Sequence, residues 1–574
     1  MTTMTHSLTL ARARIDEGDY LGALHMLQHV LAGNPQSADA LMEIGRIALL
    51  CQDYSNAIDY HRRAVELSPT SERYFHLGVC LHSAGQTEQA IQAYRQCLSR
   101  DPQHIQAWEN LGVAEYQAHA TERAVEAFHQ ALAIDPRRDS ALTNLAEALR
   151  AQGKPGEAAE SCRRALALDP GNLAAHLNLG LACADEGRYE PAIIHYQQVL
   201  KQEPDHEPAM FALARALAES GQTRASLQWF ERLLARAPDN DHYHHEYSLV
   251  LLLHGDLARG WDENVYRYRL PKVMERAGFN AAGLVYPQWD GSSLHDKTLF
   301  IYREQGIGDE VQYASCIPDL IPRSRQLIVE CHSRLAPIFA RSFPGVTVHA
   351  AVRDDRRPWL AQYPIDCQTS VHDLPRFTRR TFDDFPPRVQ YLYADARRVT
   401  HWRREFERLG PDLKIGISWR GGADAGKEST RSTRLADWLP VLSLPGVCLV
   451  NLQYGDCRDE LAAIAVSHGI TIHHWPEIDQ KRELENVCAQ ITALDLVITV
   501  GNSIAHLAGA LGTPVWTLLP RIPAWKWFME GEHYPWYPRM RLFRQEHDAS
   551  WPAVMQRVAD QLKQRLTHHR HDDR

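Results

Sequence analysis

Residues 496–520 read LVITVGNSIAHLAGALGTPVWTLLP. A β-rich apolar run ends at Val500, Gly501 turns the chain, and Asn502 or Ser503 caps a helix that carries His506 in its first turn. A second apolar run follows at 514–519, and strand, helix and strand in that order belong to a parallel sheet. The backbone N–H groups and dipole at such a helix start suit an anion, a diphosphate above all. His506 is near enough to that terminus to donate to a phosphate oxygen; it reads equally as a packed structural histidine.

Working outward, short apolar runs at 298–302, 327–331, 346–349, 413–419, 447–452 and 470–473 alternate with helical stretches. They form two clusters divided by a helical stretch at 394–409, which predicts two Rossmann-like lobes facing across a cleft. Ligands in such folds bind beyond the carboxyl ends of strands, so polar residues just after each run are the candidates. The first run is followed by REQGIGDE at 303–310, where two glycines let the chain turn and bring Asp309 to the start of the next helix. Asp309 reads either as a general base or as a first-turn acid that complements the helix dipole. The run at 413–419 is followed by RGGADAGKE at 420–428. A phosphate-binding P-loop needs Ser or Thr after its lysine, and Glu428 stands there, which argues against an ATPase or GTPase. Lys427, Arg431 and Arg434 read as cations for a phosphate or as solvated surface charge. No D-x-D pair occurs in this half; the lookalike, Asp239 to Asp241, lies earlier. Chemistry without a metal or cofactor is expected.

The first 240 residues have a different grammar. Pro35, Pro69, Pro102, Pro136, Pro170, Pro204 and Pro238 recur every 33 or 34 residues. Ala23, Ala57, Ala90, Ala124, Ala158 and Ala192 keep the same beat, as do the small residues Gly45, Gly78, Gly112, Ala146, Gly180, Ala214 and Ser248. Gly153, Gly187, Gly221 and Gly255 fall where a helix pair must turn. The pattern resembles the tetratricopeptide repeat (TPR), about seven units and a degenerate eighth, which implies an all-α superhelix with a concave binding groove. Asn110, Asn144 and Asn178 are also 34 apart. Each amide carries donor and acceptor, so the row can hold the backbone of an extended protein acceptor, as the asparagine ladder of O-GlcNAc transferase does; it also reads as a common residue at that repeat position. Through Gly260, 22 Lys and Arg stand against 33 Asp and Glu, and the remainder carries 40 against 38. An acidic array argues against nucleic acid as its partner. The 11 cysteines are scattered without a C-x-x-C pair, no segment approaches 18 uninterrupted apolar residues, and Asp16 and Glu17 interrupt the start, so a reduced, cytoplasmic protein without a transmembrane segment is expected.

The second half, over roughly 260–545, resembles GT-B glycosyltransferases of the heptosyltransferase-like family, which are often fused to TPR arrays. The resemblance rests on EQGIGDEVQYA, GISWRGG, LQYGD, VGNSIAHLAGALGTPVW and YPWYPRMRLFRQ. It implies residues 1–260 as TPR superhelix, 261–297 as connector, 298–410 as acceptor-side lobe, 411–550 as nucleotide-sugar lobe and 551–574 as C-terminal helix and tail. It further implies Asp309 as catalytic base, Arg431 near the donor phosphates, Asp456 near the donor nucleoside, and Asn502, Ser503 and His506 at the donor-binding helix start. The acid that the family carries before that helix is Gly501 here, which leaves the donor sugar open. The implied reaction moves a sugar from a nucleotide-sugar substrate to a Ser or Thr hydroxyl of a protein, flagellin being the acceptor in enzymes of this build. Two alternatives stay open: a transferase acting on envelope polysaccharide or lipopolysaccharide, and a TPR scaffold with an inactive transferase half.

Overall fold

The computed structural model describes residues 2–276, 284–351, 357–421, 431–546 and 550–572. The chain divides into two compact units, Met1–Ala216 and Leu217–Arg574.

The first unit is all helical. Helices of 12–15 residues come in pairs, from Thr2–Asp16 with Tyr20–Gly33 to Leu173–Asp185 with Tyr189–Gln202. The periodic prolines follow the second helix of each pair, where a residue without an N–H cannot continue the helix. The turn inside each pair is left-handed: Gly18, Gly85, Gly153 and Gly187 have φ between +72° and +83°, and Gln52 and His119 occupy the same place at +61° and +58°. The periodic small residues are holes for aromatic rings. A methyl group on Gly78, Gly112 or Gly180 would lie 2.5–2.6 Å from the ring of Tyr94, Phe128 or Tyr196, the residue sixteen places on. At 146 the hole is filled by alanine, and the residue sixteen places on is Cys162.

His61 takes the ring position against Gly45, and its Nδ1 is buried with no hydrogen-bond partner among the described residues. Burial, helped by His76, pushes this imidazole down to about 3. Neutral in both states above about pH 6.5, its titration costs nothing there, and only the unpartnered Nδ1 does. As pH falls from about 6.5 towards the folded value, the unfolded chain binds a proton that the folded chain refuses, and stability is lost. At pH 5 the loss is about 2 kcal/mol. His61→Phe is therefore expected to raise the melting temperature, and by more at pH 5 than at pH 8; an equal shift at both would remove the titration from the explanation.

The second unit opens with the last repeat helices, Thr223–Arg236, Asp241–His254 and Leu257–Asn264. Two sheets follow. The first has β1 (Leu294–Tyr302), β2 (Ser324–Cys331), β3 (Thr347–Ala350) and β4 (Cys367–Ser370) in the order β3-β2-β1-β4, all parallel. The second has β5 (Leu413–Ser418), β6 (Val447–Asn451), β7 (Ile472–His473), β8 (Leu496–Val500), β9 (Val515–Leu519), β10 (His533–Tyr534) and β11 (Tyr537–Arg544) in the order β10-β11-β9-β8-β5-β6-β7. All its neighbours are parallel except β10 and β11. Both faces of this sheet are covered: Ile498 and Leu518 pack in one core with the C-terminal helix residues Val554, Val558 and Leu562, and Val497 and Leu519 in the other. That is why its strands read as unbroken apolar runs. The stretch between the sheets forms the helix Ala396–Glu407.

Each sheet has one place where successive strands go to opposite sides, between β1 and β4 and between β5 and β8. A buried charge network fastens the connector to the first of these. Arg267 donates to both carboxylate oxygens of Glu304 (3.0 Å each), to Asp373 (2.8 Å) and to Asn264, while Ser370 donates to Glu304 at 2.6 Å. Burial alone would raise the Glu304 carboxyl; the Arg267 charge, with His372, reverses this and holds it low.

Candidate functional site

Beyond β1, Gln305 sits in the left-handed region at φ +68°, a strained conformation for a residue with a side chain, and Gly306 caps the helix Ile307–Ala314. This helix start meets the helix Ser503–Ala510 that follows β8. A methyl on Gly308 would lie 3.2 Å from the His506 ring and 3.7 Å from Ser503 Cα, so Gly308 is needed for close approach rather than for its dihedral freedom. The REQGIGDE and VGNSIAH segments thus converge at the carboxyl ends of the two sheets, each at its sheet's point of reversal.

Asp309 points to a partner that sequence reasoning missed. Its carboxylate pairs with the ammonium of Lys526, in the short Trp525–Trp527 turn after β9. The two side chains are 15% and 20% exposed, reachable by a small anion but not bathed in solvent. Burial raises the Asp309 carboxyl; Lys526, by charge and hydrogen bond, with smaller help from His506 and His372, outweighs it and leaves it below the usual range. The sequence did carry a signal, a lysine between two tryptophans just past a strand end. The loop that follows is held by Arg544, from the end of β11, which donates to the carbonyls of Trp527, Phe528, Glu530 and Gly531 at 2.9–3.3 Å. Phe528 in that loop is again left-handed at φ +54°. Tyr534 donates to the Lys526 carbonyl at 2.8 Å.

The predicted donor residues have differing surroundings. Asn502 is buried and fully engaged: Oδ1 accepts from the amides of Ile504 (3.0 Å) and Ala505 (3.4 Å) and from Thr499, while Nδ2 donates to Ser418 Oγ and the Arg420 carbonyl. It ties β8 to β5 and caps the helix, so the amides of Ile504 and Ala505 are not free, contrary to the expectation from sequence. Ser503 stands half-buried at the first helical position. His506 is 3% exposed, stacked on Trp527 at 4.9 Å with Nδ1 3.2 Å from the Tyr537 hydroxyl. Burial, helped by Lys526, pushes it down to about 3, so it is neutral at pH 7. A Cβ at Gly501 would lie 3.1 Å from the Leu519 and Trp527 side chains, so any side chain there requires them to shift. Asp456 is exposed and paired with Arg458 at 2.7 Å, and its backbone carbonyl accepts from Arg420 at 2.8 Å. Arg431 is exposed and makes no hydrogen bond or ion pair to another described residue, and Arg434 pairs with Asp437 at 3.0 Å. Lys427 and the rest of 422–430 lie outside the described residues.

In the first unit Asn110, Asn144 and Asn178 are each half-buried, and the Asn178 amide donates to the Thr143 carbonyl at 3.3 Å, a tie between neighbouring repeats. In the second unit a cavity of about 700 Å³ is walled by Gln222, Gln228, His254, Phe382, Phe528 and Met529, so it shares Phe528 with the Arg544-held loop.

The family profile of the cytochrome c-type biogenesis protein H TPR domain matches residues 82–210, and tetratricopeptide-repeat profiles match residues 8–72 and 184–246. The N-terminal region is a TPR array, followed by an α/β region with parallel sheets. Protein FlbA of Caulobacter vibrioides is 35% identical over 328 residues, which are 55% of this chain and 54% of FlbA. Tetratricopeptide repeat-containing protein trd-1 of Caenorhabditis elegans is 29% identical over 76 residues, 13% of this chain and 10% of trd-1. The chain thus spans about half of the first relative and a tenth of the second. The crystal structure of MamA covers 30% of this chain and 93% of its own, at 22% identity and a TM-score of 0.28. That of YrrB covers 32% and 96%, at 18% and 0.30. A protein-interaction role for the repeats is supported by the profile matches.

Proposed function

We propose that the chain is a GT-B glycosyltransferase that moves a sugar from a nucleotide-sugar donor to a hydroxyl of a protein gathered by its repeats. The observation that carries this reading is the meeting of Gly308, next to Asp309, with the start of the helix Ser503–Ala510, at the reversal points of the two sheets. In the mechanism, Asp309 takes the proton of the acceptor hydroxyl as its oxygen bonds to the anomeric carbon. The bond from that carbon to the diphosphate breaks, and its electron pair leaves with the phosphate, towards the positive end of the helix dipole. Asn502 contributes by fixing the helix start against β5 rather than by touching the donor. The cavity beside Phe528 gives an acceptor segment a way from the last repeats towards the transfer site, and flagellin is the acceptor to try first.

Incubation with a panel of nucleotide sugars tests the donor half. A ligand that binds the folded chain at a hundred times its Kd stabilises it by about 2.7 kcal/mol, a readily measured rise in melting temperature. No rise with any donor would favour the scaffold reading. Transfer to a glycan with none to protein would favour the envelope reading.

A further inference from the structure

We infer that the Asp309–Lys526 ion pair is a latch opened by the donor: the diphosphate draws Lys526 away, and only then is Asp309 a working base. This rests on the transferase reading and adds the order in which its substrates act. As the pair stands, each group disables the other. An ammonium against the carboxylate stabilises its charged form and weakens it as a proton acceptor, and the carboxylate neutralises a cation suited to a phosphate. The imidazoles nearby cannot substitute for the lysine, since burial keeps both His506 and His372 neutral at pH 7, at about 3 and about 4. Lys526 is thus the charge on which the site turns. Its backbone is fixed, by Tyr534 on its own carbonyl and by the Arg544-held loop after it, so the exchange needs a swing of the side chain alone.

A nucleoside diphosphate brings more negative charge than one carboxylate and competes for the same ammonium. Once Lys526 has moved, Asp309 keeps its burial and loses its counter-charge, so its proton affinity rises. The acceptor O–H then gives its proton to Asp309, the new O–C bond forms, and the departing diphosphate keeps the electron pair of the broken C–O bond beside Lys526. The donor therefore binds before the acceptor reacts.

The test measures equilibrium binding of inorganic pyrophosphate and of UDP, GDP, CDP and ADP to the full chain by calorimetry. It compares wild type, Asp309→Asn, Lys526→Met and the double variant. Melting temperatures without ligand establish that each is folded, and Lys526→Gln stands in if Lys526→Met is not. For the diphosphates that bind, Asp309→Asn is expected to tighten binding about fivefold by freeing the lysine, and Lys526→Met to weaken it about tenfold or more. The double variant should match Lys526→Met, since Asp309 acts through that ammonium. If no probe binds wild type, the transferase reading fails and the latch with it. Binding that is blind to both substitutions, or that Asp309→Asn weakens, overturns the latch and leaves the transferase reading standing.

Discussion

Arg267→Met lowers the stability of the α/β unit by about 4 kcal/mol in denaturant unfolding, the largest effect expected of any single substitution here. The guanidinium is 3% exposed, and Glu304, which it grips with two parallel hydrogen bonds, is fully enclosed. Removing the cation leaves Glu304 with only the Ser370 hydroxyl as a close donor of the original set besides Tyr268, and strips Asp373 of its counter-charge. A buried carboxylate so exposed must protonate or drag in water, and either costs several kcal/mol. Adding Glu304→Gln should recover part of the loss, because a neutral amide tolerates the vacated space. If Arg267→Met unfolds like wild type, the network contributes packing and not charge balance.

Asp309→Asn is expected to cut transfer about a thousandfold at saturating donor, within the range for removing a positioned general base. The substitution keeps the shape of the side chain, so the packing of Gly308 against His506 is undisturbed and the melting temperature should move little. The loss belongs in kcat, because the amide cannot take the proton, while donor binding is tightened and not weakened by the freed Lys526. A variant that retains a tenth of the activity would remove Asp309 from proton transfer.

The repeats are legible in the sequence because their rule is repeated: turn, hole and proline recur in register, and local geometry obeys the recurrence. Even so, Gln52 and His119 hide the turn position, since the left-handed conformation is imposed there by neighbours and not announced by glycine. Eight strands of the α/β half announce themselves as apolar runs. β4 does not, because Cys367–Ser370 is buried yet mostly polar, and at its end the Ser370 hydroxyl serves Glu304. β11 begins with Tyr537 and Pro538 and alternates arginine with apolar residues, which disguises a strand of the sheet as a motif. At the site, Asp309 and the helix of His506 can be found by looking just past the end of each strand. Lys526 also lies past a strand end, between two tryptophans, but its role cannot be read there because it comes from a contact across more than 200 residues. Asn502 can be found but not interpreted: an amide with every hydrogen-bonding group satisfied by the protein is a brace, and a sequence does not tell a brace from a ligand-binding group.

The fit of Tyr94 over Gly78, of Phe128 over Gly112 and of Tyr196 over Gly180 makes each of these repeats a matched lock of two residues sixteen places apart. Neither half of such a lock can mutate first without a clash or a void. Recombination that cuts between them should therefore yield stable hybrids when whole units are exchanged, and poorly folded ones when the crossover falls inside a unit.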